Sequence, residues 1–353
     1  MKTFLILLAV GFVLIIALGF LFFYRIRDPI DIKKSKSYYR HAWKDKYVHS
    51  MMGNWFELSY QEFDADKKTF QVLSEDFGKD ANTVFWRGRP QKADPSTFEI
   101  DSFQIPKDKN QVYLAADYGD KIFVVEGARP DSFQPVRINH ESVTEWYKDD
   151  ESYFLTGKRV TVDYPSFEII NEAISCDKEH VYITKSDVTG GLSRNKVLVT
   201  KASRPIGTSK SLGPNYAQIG NSILLSNWKT DFSLLPFIKI DSVSAIDERR
   251  IVVNGQLVSD GVLLPNFNVS AFVNLDRDHI RDNQNVYYNN QKIEGADAAT
   301  FEVPYEDYSK DKNHVYYKGA VLQEARPSSF VLQYNTGIAT DGQHQYKDGV
   351  RIK

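Results

Sequence analysis

A single cysteine, Cys176, stands in a chain of 353 residues. An intramolecular disulfide or a multi-cysteine metal site needs at least two thiols, so neither can form. Surplus charge is lacking as well: 44 basic against 46 acidic residues leave a formal net charge of −2, without the basic excess that marks a nucleic-acid partner. No GxSxG, HExxH, P-loop or GxGxxG pattern occurs in a usable context, so the sequence assigns no cofactor and no catalysis. Aromatic residues, in contrast, are plentiful. Twenty Tyr and 22 Phe can bury a large core and exclude compositional disorder.

Phe4 to Tyr24 runs for 21 residues without a charge, about 32 Å as a helix at 1.5 Å per residue, which is enough to cross a bilayer. Ala17 and Gly19 form a small-x-small pair of the kind a signal peptidase cleaves, but the apolar run continues through Tyr24. An uncleaved single-pass anchor over residues 1–27 is therefore expected. The basic residues Arg25, Arg27, Lys33, Lys34, Lys36 and Arg40 come after the run, and a simple count would keep the body cytoplasmic. A long domain translocates largely regardless of charge, so the expectation is a single-pass membrane protein with an exported body. Residues 28–50, polar and Lys-rich, read as a solvated juxtamembrane linker.

Self-comparison of residues 51–353 reveals a repeat. The segments ADKKTF (65–70), ADPSTF (93–98), ARPDSF (128–133), VDYPSF (162–167), ADAATF (296–301) and ARPSSF (325–330) share one pattern. An Asp falls ten residues after the Phe in Phe70 to Asp80, Phe98 to Asp108, Phe167 to Asp177, Phe237 to Asp247 and Phe301 to Asp311. Asp149, Asp282 and Asp341 open further units after longer connections. After each Asp come β-rich runs broken by Arg-Gly, Thr-Gly, Asn-Gly, Asn-Asn, Lys-Gly or Asp-Gly, as two-residue hairpin turns require. Each unit reads as an Asp turn, a hairpin, one helical turn and a third strand, in roughly 28 to 30 residues. So small a unit cannot bury a core alone. The expected fold is all-β, with about nine units stacked as an open solenoid-like array. A β-propeller is the alternative, disfavoured because its blades need four strands. Insertions are expected at 114–121, 137–148, 184–216 and 267–281, with degenerate units before Asp80 and near Asn221.

The unit openings Asp108-Lys109-Asn110-Gln111-Val112-Tyr113, Asp177-Lys178-Glu179-His180-Val181-Tyr182 and Asp311-Lys312-Asn313-His314-Val315-Tyr316-Tyr317 resemble the bacterial DKNYY family over about residues 51–353. The resemblance implies an envelope or secreted repeat protein and brings no catalytic residues to carry over.

His180, His314 and His344 each stand three residues after a unit Asp. Gln111, Asn285 and Arg250 fill that place elsewhere, so it reads as a polar register position and not as a metal ligand. The recurring Asp reads as an Asx turn in preference to a calcium site, which would need more acidic positions. Cys176 reads as an exposed edge residue, and Gly190-Gly191 as a hairpin tip. Asp276, Arg277, Asp278 and His279 form the densest ionisable cluster outside the apparent units, the one place where an acid-base site could sit. Among the paired aromatics, Trp86, Phe154, Tyr288 and Tyr317 are the candidate binding surface, a ladder suited to a glycan or peptide. Packing between neighbouring units is the competing expectation. The functional expectation is a membrane-anchored envelope binding or scaffold protein with a protein or glycan partner. A periplasmic inhibitor or immunity-type protein is the alternative, and a hydrolase would depend on Asp276 to His279.

Overall fold

The structure, a computed structural model, describes residues 10–19, 26–51, 60–115, 121–138, 141–186, 196–305, 307–333 and 336–353. Residues 10–19 are helical. Among the described residues no helix is long and apolar enough to cross a membrane, and the rest of the 4–24 run lies outside them. From Ile26 onward the described chain is all-β: nine four-stranded antiparallel sheets and two two-stranded ones, each built from strands consecutive in the chain. The two small sheets are joined by a Lys107–Val112 bridge into one broken repeat, giving ten repeats. Repeats 1 to 5 are 26–63, 71–91, 99–124, 134–159 and 168–203; repeats 6 to 10 are 209–236, 243–264, 273–292, 302–321 and 331–351.

Four strands per repeat, not three, correct the sequence reading. The strand it missed is the second, such as Phe77–Lys79 or Tyr308–Lys310. Three residues ending at the Asp turn are too few for alternation to show. The linker is corrected too. Residues 28–50 lie in repeat 1, whose strands Tyr38–His41 and Tyr47–His49 pair with each other and bury Tyr38, Val48, His41 and His49.

The supposed insertion at 267–281 is a regular repeat. Asn268-Val269-Ser270-Ala271-Phe272 occupies the motif position, with Asn268 capping a 3₁₀ turn and Phe272 standing ten residues before Asp282. Residues 137–148 prolong the hairpin formed by Gln134–Ile138 and Glu141–Lys148. Residues 184–216 hold the lengthened strand Lys196–Ser203 and then the start of repeat 6; Gly190-Gly191 lies outside the described residues. Repeat 6 is complete despite its weak sequence, because Gly220-Asn221 makes a tight turn where other repeats use the Asp turn. Asp247 is shifted in register: it precedes the second strand, Arg250–Val253, and Asn254-Gly255 opens the third.

The chain forms two compact units, residues 1–165 with 187–197 and residues 166–186 with 198–353. In each, cores lie between sheets adjacent in sequence. Third-strand residues alternate strictly, as the two-residue strand period demands. In Val84–Trp86, Phe85 packs back onto Tyr38 and Phe63 of repeat 1, while Val84 and Trp86 pack forward with Tyr113 of repeat 3. In Val315–Tyr317, Tyr316 packs back with Val286 and Phe301, while Val315 and Tyr317 pack forward with Tyr346. Every such aromatic residue contributes roughly 2–3 kcal/mol by burial, and no repeat keeps that gain without its neighbour.

Candidate functional site

The recurring Asp is the structural centre of seven of the ten repeats, at Asp80, Asp108, Asp149, Asp177, Asp282, Asp311 and Asp341. In repeat 9, Asp311 Oδ1 accepts the backbone N–H groups of Asn313 and His314, both at 2.7 Å. Its Oδ2 accepts the Asp297 N–H at 2.8 Å and the Tyr316 hydroxyl at 2.7 Å. Asp108 repeats the pattern with Asn110, Gln111, Asp94 and Tyr113, and Asp341 does so with Gln343, His344, Arg326 and Tyr346. Burial alone would raise these carboxyls, but the donors outweigh it: Asp108, Asp282 and Asp311 are held below the usual carboxylate range, and Asp341 at about 2. Lone pairs committed this way tie a hairpin to the turn 14 or 15 residues earlier; they bear out the Asx-turn reading.

The aromatic ladder is corrected. Trp86 is 1% and Phe154 0% exposed, and they face opposite ways, Trp86 forward and Phe154 back into the core with Ile105 and Val112. Tyr288 and Tyr317 are half-buried beneath the turn glycines of the next repeats, Gly319 and Gly349. These four residues are inter-repeat packing and form no common exposed face.

The ionisable cluster is absorbed by the repeat as well. Asp276 Oδ1 accepts the N–H groups of Asp278 and His279, an Asx turn ahead of the second strand. The His279 ring is fully buried, its Nδ1 3.1 Å from the Asp276 carboxylate and its faces against Tyr288 and Phe301. No substrate can reach it. Asp278 joins Asp260, Arg249 and Lys229 in a charge network across repeats 6, 7 and 8. Cys176 is buried, not exposed; its Sγ lies 3.4 Å from Arg204 Nε, and burial raises the thiol. Among the described residues no group of three or more His, Cys, Asp or Glu could hold a metal ion.

Sequence reasoning missed the concave surface. Two clefts flank Arg159 in the first compact unit. One, of about 390 Å³, is lined by Phe123, Val124, Glu126, Thr156, Gly157 and Lys158 as well as Arg159. The other, of about 360 Å³, runs past Ser152, Tyr153, Thr161 and Tyr164. Phe123 is 42% exposed, and its ring lies against the Thr156-Gly157 turn. Thr156 holds φ +49°, a conformation costly for a β-branched residue. Its hydroxyl accepts the Lys196 N–H at 3.3 Å. A cation and aromatic rings beside apolar walls suit binding.

These features define a class: a tandem-repeat all-β protein whose unit is a four-stranded antiparallel meander, pinned in most repeats by one buried Asp. Residues 14–117 and 146–349 match the DKNYY family model, and the chain belongs to the DKNYY family. No curated protein matches it.

Proposed function

We propose that this protein is a membrane-tethered binding or scaffold protein of the bacterial envelope, with its repeats displayed on the periplasmic side as an open stack. The carrying observation is the uncharged run 4–24. Within it, the described helical residues present Phe12, Val13, Leu14, Ile15, Ile16 and Leu18 exposed, an apolar surface that a bilayer would cover. Cores shared by sequence-adjacent repeats support an open stack, and the lengthened hairpins supply surface beyond the repeat. A binding role agrees with clefts that carry charge and aromatic rings.

Fusions of alkaline phosphatase and of a fluorescent protein at Lys353 test the topology. Phosphatase activity without fluorescence is expected. Fluorescence alone would put the body in the cytoplasm, where the cations from Arg25 to Arg40 would place it, and would overturn the envelope reading.

A further inference from the structure

We propose that the clefts astride Arg159 form a binding site for an extended peptide that presents a carboxylate to Arg159 and an apolar side chain to the Phe123 cleft. The inference deepens the binding-protein reading and rests on it.

The fold supplies an internal comparison. Arg159 pairs with Phe154 across its hairpin, as Lys292 pairs with Tyr287 and Arg351 with Tyr346. At this position Lys292 is 3.4 Å from Glu294 and Arg351 is 2.7 Å from Glu324. Thr161 stands where Glu294 stands. The counterpart of Glu324, one residue before the Ala-Arg-Pro motif, is Gly127, and the two share a left-handed backbone, φ +66° and +75°. A Cβ at Gly127 would lie 4.0 Å from Arg159 Nη1, so position 127 faces the guanidinium as Glu324 faces Arg351. Repeat 4 therefore lacks both carboxylates that satisfy this cation elsewhere. Arg159 is exposed and has no partner among the described residues.

A guanidinium holds a carboxylate through two parallel N–H donors. Glu126 lines the same cleft and repels a more highly charged anion such as phosphate. Among the described residues the strand Lys158–Arg159 is hydrogen-bonded on one side only, at the edge of its sheet. Edges of this kind take up extended peptides through main-chain hydrogen bonds, with pockets reading alternate side chains. A sugar acid would meet that edge only through individual hydroxyls, whereas a peptide main chain matches its alternating donors and acceptors in register, so a peptide is the occupant the geometry favours.

The test is fluorescence polarisation of the full-length chain in detergent with a labelled pentapeptide in which leucine and glutamate alternate with serine. The same peptide with glutamine for glutamate is the comparison. The glutamate peptide is expected to bind at least tenfold more tightly than the glutamine peptide. Arg159→Gln should remove that preference without moving the thermal midpoint, because the side chain is solvent-exposed. Gly127→Glu, which restores the internal partner, should weaken binding about tenfold. Equal affinity for the two peptides, no binding at millimolar protein, unchanged affinity in Arg159→Gln, or stronger competition by glucuronate than by the free peptide would overturn the proposal. Each of these outcomes is independent of membrane orientation, so the topology fusions can fail or succeed separately.

Discussion

Four donors converge on the Asp311 carboxylate, three from the backbone and one from Tyr316, in a site only 3% exposed. Removing the acceptor leaves three partly buried backbone N–H groups and the buried Tyr316 hydroxyl without their partner. Each orphaned donor costs about 1–3 kcal/mol when solvent is excluded. Asp311→Ala is therefore expected to destabilise the protein by about 3–5 kcal/mol, at the upper end for single substitutions, as read from urea denaturation. Asp311→Asn should cost less, about 1–3 kcal/mol. Its amide oxygen can still accept from Asn313 and His314, while its NH₂ meets donors. A calcium-ligand role would instead make both substitutions equally harmful and the loss dependent on chelator. The residue was legible in the sequence because one chemistry recurs at one spacing, whereas its hydroxyl partner five residues on, Tyr316, was read only as part of an aromatic pair.

At the scale of the element, hairpin-turn glycines differ with the turn they occupy: those before a fourth strand lie over side chains of the preceding repeat, and Gly255 does not. A Cβ on Gly349 would stand 2.3 Å from Tyr317 Cδ1 of the preceding repeat, whereas one on Gly255, in a turn between second and third strands, meets nothing within 4 Å. Both have φ near +75° to +78°, so the left-handed backbone penalty of about 1–2 kcal/mol is common to the pair. Gly255→Ala should cost that amount, and Gly349→Ala roughly 1–3 kcal/mol more by overpacking. Thermal midpoints of the two variants would measure the difference; equal shifts would mean that Tyr317 yields freely. The same contact explains why the aromatic ladder could not be read from sequence. Alternation separates the two members of Tyr316-Tyr317, but it does not reveal that a neighbouring turn covers the outward one. The 3₁₀ turn at Val269–Ala271 escaped for a different reason, since Asn268 and Ala271 replace the Asp and Ser/Thr of the motif without disturbing the ten-residue step to Asp282. In repeat 7 the step from Phe237 to Asp247 matched by coincidence and misplaced the register. The clefts beside Arg159 were invisible because they arise where a carboxylate is missing.

For the whole molecule, the Asp turns predict how stability depends on pH. Asp108, Asp282, Asp311 and Asp341 titrate below their unfolded value of about 3.9, Asp341 at about 2. The folded state therefore binds fewer protons than the unfolded state as pH falls through that window, and stability declines with falling pH. Their contribution is present above the unfolded value of about 3.9 and is lost progressively as pH falls through the lowered folded-state values, which for Asp341 is about 2. Each Asp secures a repeat whose core is shared with its neighbours, so the losses should propagate to adjacent repeats beyond their sites of origin. The urea midpoint is expected to stay nearly level between pH 7 and 5 and to fall steeply between pH 4 and 2. Asp311→Asn, which removes one of these titrating groups, should make that fall shallower. A midpoint already dropping between pH 7 and 5 would mean that these carboxylates do not control the acid response. The buried Asp would then be a geometric pin whose charge matters little. A level midpoint followed by acid loss would show that the residue defining the repeat in sequence also sets the stability of the fold.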